Sequence, residues 1–106
     1  DLSESYIRKA VDCKPEKAEY LDSLAWVLYR KGNYKEALVW IDKALKYAGD
    51  KPDGVISAHA GDIHLALGER DVALKLFKSA LLQSSSELDP EQIKAKIDTL
   101  EKASKK

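Results

Sequence analysis

The sequence predicts an all-α fold in which antiparallel pairs of helices stack into a solenoid. Three observations support this prediction. Apolar residues recur with the helical period, short glycine-containing turns separate the helical segments, and the whole pattern returns after 36 residues, so that Gly32 aligns with Gly68 and Ala37 with Ala73. A fixed period of this length is typical of helical arrays, in which each repeat buries its apolar face only against its neighbours.

Six helices are expected. Each predicted helix starts after a proline, a glycine or a capping residue and carries one apolar stripe. The expected helical segments are residues 2–13, 15–31, 34–47, 56–67, 70–82 and 90–103.

The first helix is expected to lie at one edge of the array. Ile7 and Val11 share one of its faces, and Pro15 ends it because the residue before a proline is driven out of the helical region. We interpret residues 1–14 as the second helix of a truncated repeat in a fragment of a longer protein, with an apolar stripe left uncovered. Cys13, the single cysteine, cannot form an internal disulfide and is expected to be a packed thiol.

Residues 15–48 are predicted to form the first complete repeat. Gly32 can adopt the left-handed conformation that closes a helix, and Asn33 is a favourable cap for the helix that follows. Because the turn is short, the two helices must be antiparallel. The expected buried stripe consists of Leu21, Leu24, Ala25, Leu28, Ala37, Leu38, Ile41, Ala44 and Leu45.

Residues 52–83 are predicted to form the second repeat. Its first helix has a stripe of smaller residues, so a close approach of helices is expected around Gly61. His64 lies on this stripe and is expected to be a neutral, hydrogen-bonded packing residue. The expected buried stripe consists of Ser57, Ala60, Gly61, His64, Val72, Ala73, Leu76, Phe77, Ala80 and Leu81.

Residues 89–104 are predicted to be a capping helix. Asp89 is suited to the N-cap position and Pro90 to the first turn. Ile93, Ile97 and Leu100 are expected to cover the last repeat, whereas Lys94 and Lys96 are among the charged residues expected in solvent. A polar outer face of this kind closes the end of a solenoid.

The order of small residues, glycine turn, alanine, large apolar residue and alanine resembles the tetratricopeptide repeat, whose pattern is W-x2-L-G-x2-Y followed by A-x3-F. Ala37, Ile41 and Ala44 carry it in the first repeat, and Ala73, Phe77 and Ala80 carry it in the second. The resemblance covers residues 1–83 and is closest to repeats common in bacterial proteins. It implies a single domain over residues 1–106, with about two and a half repeats and a capping helix.

The resemblance also implies a non-catalytic module for protein–protein interaction, in which the first helices of the repeats form a concave groove for a peptide or a partner segment. Trp26 and Tyr29 are the strongest candidates, because aromatic residues dominate binding energy at interfaces. The alternative is that Trp26 only packs against the neighbouring repeat. The expected groove residues are Asp22, Ser23, Trp26, Tyr29, Arg30, Ala58, His59, Asp62, Leu65 and Ala66.

Self-association through exposed terminal helices is the alternative function. The family's carboxylate-binding specialisation is not expected, because Asp22 and Asp62 occupy that surface, and such an acidic, aromatic groove suits a basic or apolar segment. His59 and Asp62 are three residues apart on one face, which suits a metal, but two ligands do not make a site. No catalytic residues and no cofactor are predicted.

Overall charge and hydropathy exclude two further classes of partner. The chain has 18 basic and 18 acidic residues, so no net field would draw it onto nucleic acid. Its apolar runs are far shorter than the roughly 20 residues that cross a bilayer, so membrane insertion is not expected. A soluble protein of the cytoplasm or of a bacterial periplasm fits these features, without a choice between the two compartments.

Overall fold

A computed structural model describes residues 2–49, 54–83 and 89–104, and these residues form helices joined by turns. Residues 1, 50–53, 84–88 and 105–106 lie outside the described residues. The helices are α1 (Leu2–Cys13), α2 (Ala18–Arg30), α3 (Tyr34–Ala48), α4 (Gly54–Ala66), α5 (Arg70–Leu82) and α6 (Pro90–Ser104). In the described part of the chain, none of them has the length and apolar character needed to cross a membrane.

The helices pack mainly with their neighbours in sequence. α2 pairs with α3 and α4 pairs with α5, while α3 packs on α4 and joins the two pairs. α1 packs on α2 at one end, and α6 packs on α5 at the other. The molecule is accordingly elongated, with extents of 45 × 27 × 20 Å. This is the helix-pair solenoid that the sequence predicts.

Both repeats use the same turn between their helices. Gly32 and Gly68 have φ angles of 87° and 83°. The N–H of the residue after each glycine donates back to a carbonyl five residues earlier, from Asn33 to Leu28 and from Glu69 to His64, at 2.9 Å in both cases. These bonds define the Schellman motif, which satisfies the last carbonyls of a helix. The glycines are needed because this conformation is costly for residues with a Cβ.

The capping role expected of Asn33 is wrong in one respect. Asn33 is the residue before α3, as predicted, but its side chain makes no capping hydrogen bond. Its backbone lies at φ −86° and ψ 66°, away from the extended conformation that aims a cap side chain at the helix. Asp89 does cap α6, because its carboxylate accepts a 3.0 Å hydrogen bond from the N–H of Glu91.

The core consists of two clusters. The larger one fills the first repeat and its contacts with α1 and α4, and the smaller one joins α5 to α6. Phe77 is fully buried in the smaller cluster beside Ile93, Ile97 and Leu100. A Cβ added to Gly61 would lie 2.6 Å from the Phe77 ring, so the predicted close approach at Gly61 is confirmed.

Some predicted helix bounds and burials are wrong. α2 begins at Ala18 and not at Pro15, because Lys17 is extended and residues 15 and 16 form a turn. Val72 is 39% exposed, since it lies on the outward side of α5, and the thiol of Cys13 at the end of α1 is exposed and not packed. α4 starts two residues before the predicted position, at Gly54.

α1 is held to the first repeat by ion pairs as well as by apolar contacts. Val11 is buried against the main cluster. Glu4 accepts a hydrogen bond from Arg8 and another from Lys31, both at 2.8 Å, and Arg8 also donates to Glu36 on α3 at 2.9 Å. The two cations hold the pKa of Glu4 down at about 2, chiefly through these hydrogen bonds.

Candidate partner-binding site

The first helices of the array, α2 and α4, together with α6, form the surface on which the sequence places its groove. α2 packs directly against α4, and a side chain of α6 reaches α4. We call this surface the first-helix wall. The predicted groove residues lie on the side of each helix opposite its buried stripe. On α2 that stripe consists of Leu21, Leu24 and Leu28.

Aromatic rings form a continuous stack on the first-helix wall. The rings of Trp26 and His59 have centroids 3.9 Å apart with planes 16° apart, so this contact joins α2 to α4. Trp26 also stacks on Tyr29 at 4.8 Å and 12°, and Tyr29 meets Tyr34 at 5.5 Å in a tilted arrangement. Trp26 therefore does pack against the neighbouring repeat, while remaining partly exposed.

Asp22 lies under this stack. It is 8% exposed, and its carboxylate oxygen is 2.8 Å from Nδ1 of His59. This contact orients the imidazole that stacks on Trp26. Asp22 is thus part of the packing between α2 and α4, and it offers little carboxylate surface to a partner.

Lys96 of α6 completes the wall. Its side chain is 38% exposed, in line with the solvent position predicted for it, but it also forms an ion pair that was not predicted. Its ammonium group donates to Asp62 of α4 at 2.8 Å and lies 5.4 Å from the centre of the Phe77 ring. Asp62 and Lys96 are 34 residues apart, which is close to the 36-residue period of this chain. Extending the repeat register into α6 would have placed the two residues side by side.

The remaining predicted residues occupy the edges of the wall. Ser23 is exposed, and its hydroxyl donates to the Glu19 carbonyl. Arg30 is exposed at the end of α2, and Leu65 is partly buried at the end of α4. Burial raises the pKa of the Tyr29 hydroxyl, and the negative charge of Asp62 raises it further. The structure therefore brings Trp26, Tyr29, His59 and Asp62 together and leaves Ser23, Arg30 and Leu65 at the margins.

Two clefts flank the Lys96 side chain. One has a volume of about 210 Å³ and the other about 350 Å³. Residues that line the smaller cleft include Trp26, Ala58, His59, Asp62, Gln92 and Ile93. The larger cleft is lined by Leu65, Arg70, Ala95, Lys96, Thr99 and Leu100. Because Lys96 lines both, its ion pair with Asp62 divides one groove between α4 and α6 into two parts.

The histidines do not assemble a metal site. Within the described ranges, no group of three His, Cys, Asp or Glu side chains is placed to hold a metal ion. His64 is largely buried, and its Nδ1 lies 3.5 Å from the Glu69 carboxylate without forming a hydrogen bond to any described residue. The hydrogen bond expected for His64 is therefore not found, because the Glu69 carboxylate is partly exposed and stops short of the ring.

The family comparison agrees with the architecture. A family model described as tetratricopeptide repeat matches residues 18–51, the range that holds α2 and α3. No curated protein gives a significant match to the chain. Tetratricopeptide repeats mediate protein–protein interactions, and they are typically non-catalytic. Residues 18–51 are therefore similar to a tetratricopeptide repeat, and the described helices continue the same all-helical stack on both sides of it.

Proposed function

We propose that the first-helix wall binds a peptide or a segment of a protein partner without catalysing a reaction. The observation that carries this proposal is the ring stack of His59, Trp26 and Tyr29, which crosses from one repeat to the next and keeps part of its surface exposed. Side chains of this type supply most of the binding energy at protein interfaces.

The packing of Trp26 supports a binding role as well as a structural one. Its ring is held by His59, which is in turn held by Asp22. A side chain that is already immobile loses little conformational entropy when a partner binds, so a pre-ordered aromatic surface binds more tightly than a mobile one. Trp26 could pack against the neighbouring repeat in either case. Only a binding experiment therefore distinguishes a residue that packs from one that packs and also binds.

Alanine substitutions test the proposal. After affinity capture and identification of a partner, Trp26→Ala and Tyr29→Ala should each weaken its binding by about 2 kcal/mol, or roughly thirty-fold in Kd, by titration calorimetry. Tyr47→Ala is the matched control, because Tyr47 is an exposed aromatic residue on α3, outside the first-helix wall. Equal affinities of the Trp26 variant, the Tyr29 variant and the unmodified chain would contradict the proposal.

Self-association is the second candidate function, and one observation favours it. Tyr6 on α1 is 65% exposed, although it belongs to a helix that packs on the array. Tyrosine is enriched in the interfaces between protein chains. Light scattering over a range of concentrations should then give a rising mass that Tyr6→Lys abolishes. A constant monomer mass at every concentration would exclude this function.

A further inference from the structure

The charges on the first-helix wall are not those of an acidic groove. Both of its candidate carboxylates are engaged within the chain, Asp22 with His59 and Asp62 with Lys96, each at 2.8 Å. Both aspartate side chains are also largely buried, at 11% and 12% exposure, so little of either carboxylate is left for a partner's cation. Both carboxylates therefore already have a hydrogen-bond partner within the protein, and neither requires a basic group from a binding partner.

The larger cleft has a different character. Leu65 and Ala95 line it together with Leu100, which is only 5% exposed, so its lining is mainly apolar. Thr99 also lines it, but its hydroxyl already donates to the Ala95 carbonyl at 3.0 Å. Among the residues described, none that lines this cleft has a carboxylate.

Arg70 supplies the available charge of the cleft. It lines the cleft and is exposed at the start of α5. Its guanidinium group has no ion pair with any residue that the structure describes, in contrast to Arg8, which binds two carboxylates. A guanidinium group presents a planar array of donors that matches a carboxylate, so a partner's carboxylate is its natural complement.

We infer that the larger cleft receives an apolar side chain of a protein partner that is adjacent to an aspartate or a glutamate, whose carboxylate pairs with Arg70. The inference rests on the proposed function and specifies the chemistry of the partner segment. The volume of about 350 Å³ lies at the lower end of the range for ligand pockets, which suits one or two side chains. A basic segment would meet Arg70 and Lys96 on the same cleft and be repelled.

Capped dipeptides test this inference on the full chain. Acetyl-Leu-Glu-amide, acetyl-Leu-Gln-amide and acetyl-Leu-Lys-amide share one apolar side chain and carry no terminal charge. We expect the acidic dipeptide to shift the amide NMR signals of residues 65, 70 and 95–100 and to bind about three-fold more tightly than the neutral one, the scale of one exposed ion pair. The basic dipeptide should bind most weakly.

Three variants assign the effect to the cleft. Arg70→Gln should abolish the preference for the acidic dipeptide, whereas Arg30→Gln, which removes an exposed arginine elsewhere on the wall, should keep it. Ala95→Trp should fill the cleft and weaken binding of all three dipeptides, because Ala95 is exposed on α6 and can be enlarged without disturbing the core. Circular dichroism confirms that each variant remains folded.

Several results would overturn the inference. These are equal affinity for the three dipeptides, tighter binding of the basic one, no shift at the cleft at the highest soluble concentration, or an acidic preference that survives Arg70→Gln. Charge-independent shifts around Trp26 and Tyr29 would overturn the inference and leave the proposed function intact. The proposed function fails separately, when Trp26→Ala and Tyr29→Ala both leave the affinity for the captured protein unchanged.

Discussion

In the first repeat most of the large, fully buried side chains belong to the first helix, whereas in the second repeat the largest one belongs to the second helix. Leu21 and Leu24 of α2 are at most 1% exposed, and the residues 36 positions later on α4 are Ser57 and Ala60, which are equally buried. Phe77 of α5 is completely buried and fills the space that the small residues of α4 leave. The two repeats therefore fill their cores with large side chains from different helices.

The two end helices differ in a similar way. α1 is attached to the first repeat through Val11 and through the ion pairs of Glu4 and Arg8. α6 is attached to the second repeat mainly through its buried apolar residues, with one ion pair from Lys96. The first attachment should accordingly respond to pH and salt, and the second to changes of side-chain volume.

The largest effect is expected at Phe77. Phe77→Ala should lower the free energy of unfolding by about 3–5 kcal/mol, because the side chain is wholly buried and its α4 neighbours, Ala58 and Gly61, are too small to close the cavity. It should also increase hydrogen exchange in α6, which packs on the same cluster. Ile41→Ala, at the equivalent position of the first repeat, should leave hydrogen exchange in α6 nearly unchanged. An equal increase in both variants would contradict the difference between the repeats.

Gly61 should give the next effect. Gly61→Ala improves helix propensity by about 1 kcal/mol, but the new Cβ would lie 2.6 Å from the buried Phe77 ring. Overpacking at such a site costs about 1–3 kcal/mol, so chemical denaturation should reveal a net loss of stability. Gly61→Ala combined with Phe77→Leu should recover part of the loss. Additive effects of the two substitutions would show that Gly61 and Phe77 are not coupled.

Ser57 should show the opposite sign. Its hydroxyl oxygen is buried and forms no hydrogen bond with any described residue. Ser57→Ala removes this unsatisfied group and should raise the free energy of unfolding by about 1 kcal/mol. Leu21→Ala, at the equivalent position of the first repeat, should lower it by about 2–5 kcal/mol. Equal signs for the two substitutions, by urea denaturation, would contradict the proposed difference between the repeats.

The smallest effect concerns the attachment of α1 at low pH. The pKa of Glu4 falls from an ordinary value of 4.5 to about 2 in the folded chain, because Lys31 and Arg8 donate hydrogen bonds to its carboxylate. The charged form is therefore favoured by folding, and its contribution is complete above pH 4.5 and is lost as the pH falls through about 2.

Hydrogen exchange of the α1 amides measures this titration. Protection of α1 should decline between about pH 4.5 and 2, relative to α6, and Glu4→Gln should remove the difference. Glu91→Gln on α6 is the control, since Glu91 is exposed. An unchanged pH profile in the Glu4 variant would mean that Glu4 is not the group whose titration loosens α1.

Local sequence patterns predicted much of the fold. The two glycine turns and the stripe of Leu21, Leu24, Ala25 and Leu28 were predictable, because helix periodicity and left-handed glycines depend on nearest neighbours in the chain. The start of α2 was missed. It depends on the extended backbone conformation of Lys17, which no composition rule predicts.

The candidate site was predictable as a set of positions but not as a set of contacts. The repeat register placed Trp26, His59 and Asp62 on the first helices, and the structure brings them together. The register did not reveal that Asp22 is buried against His59, nor that Lys96 pairs with Asp62. Both contacts join residues more than thirty positions apart, and side-chain pairing at that separation depends on how the helices pack.

The amino-acid sequence by itself determined that this chain is a stack of helix pairs, since the period, the glycine turns and the apolar stripes each act through neighbouring residues. Only the tertiary structure decided which charges of the first-helix wall are available to a partner. The reason is that the availability of a carboxylate depends on the side chain it faces across helices, and here His59 and Lys96 engage the two aspartates while the Arg70 guanidinium is left without a described ion partner.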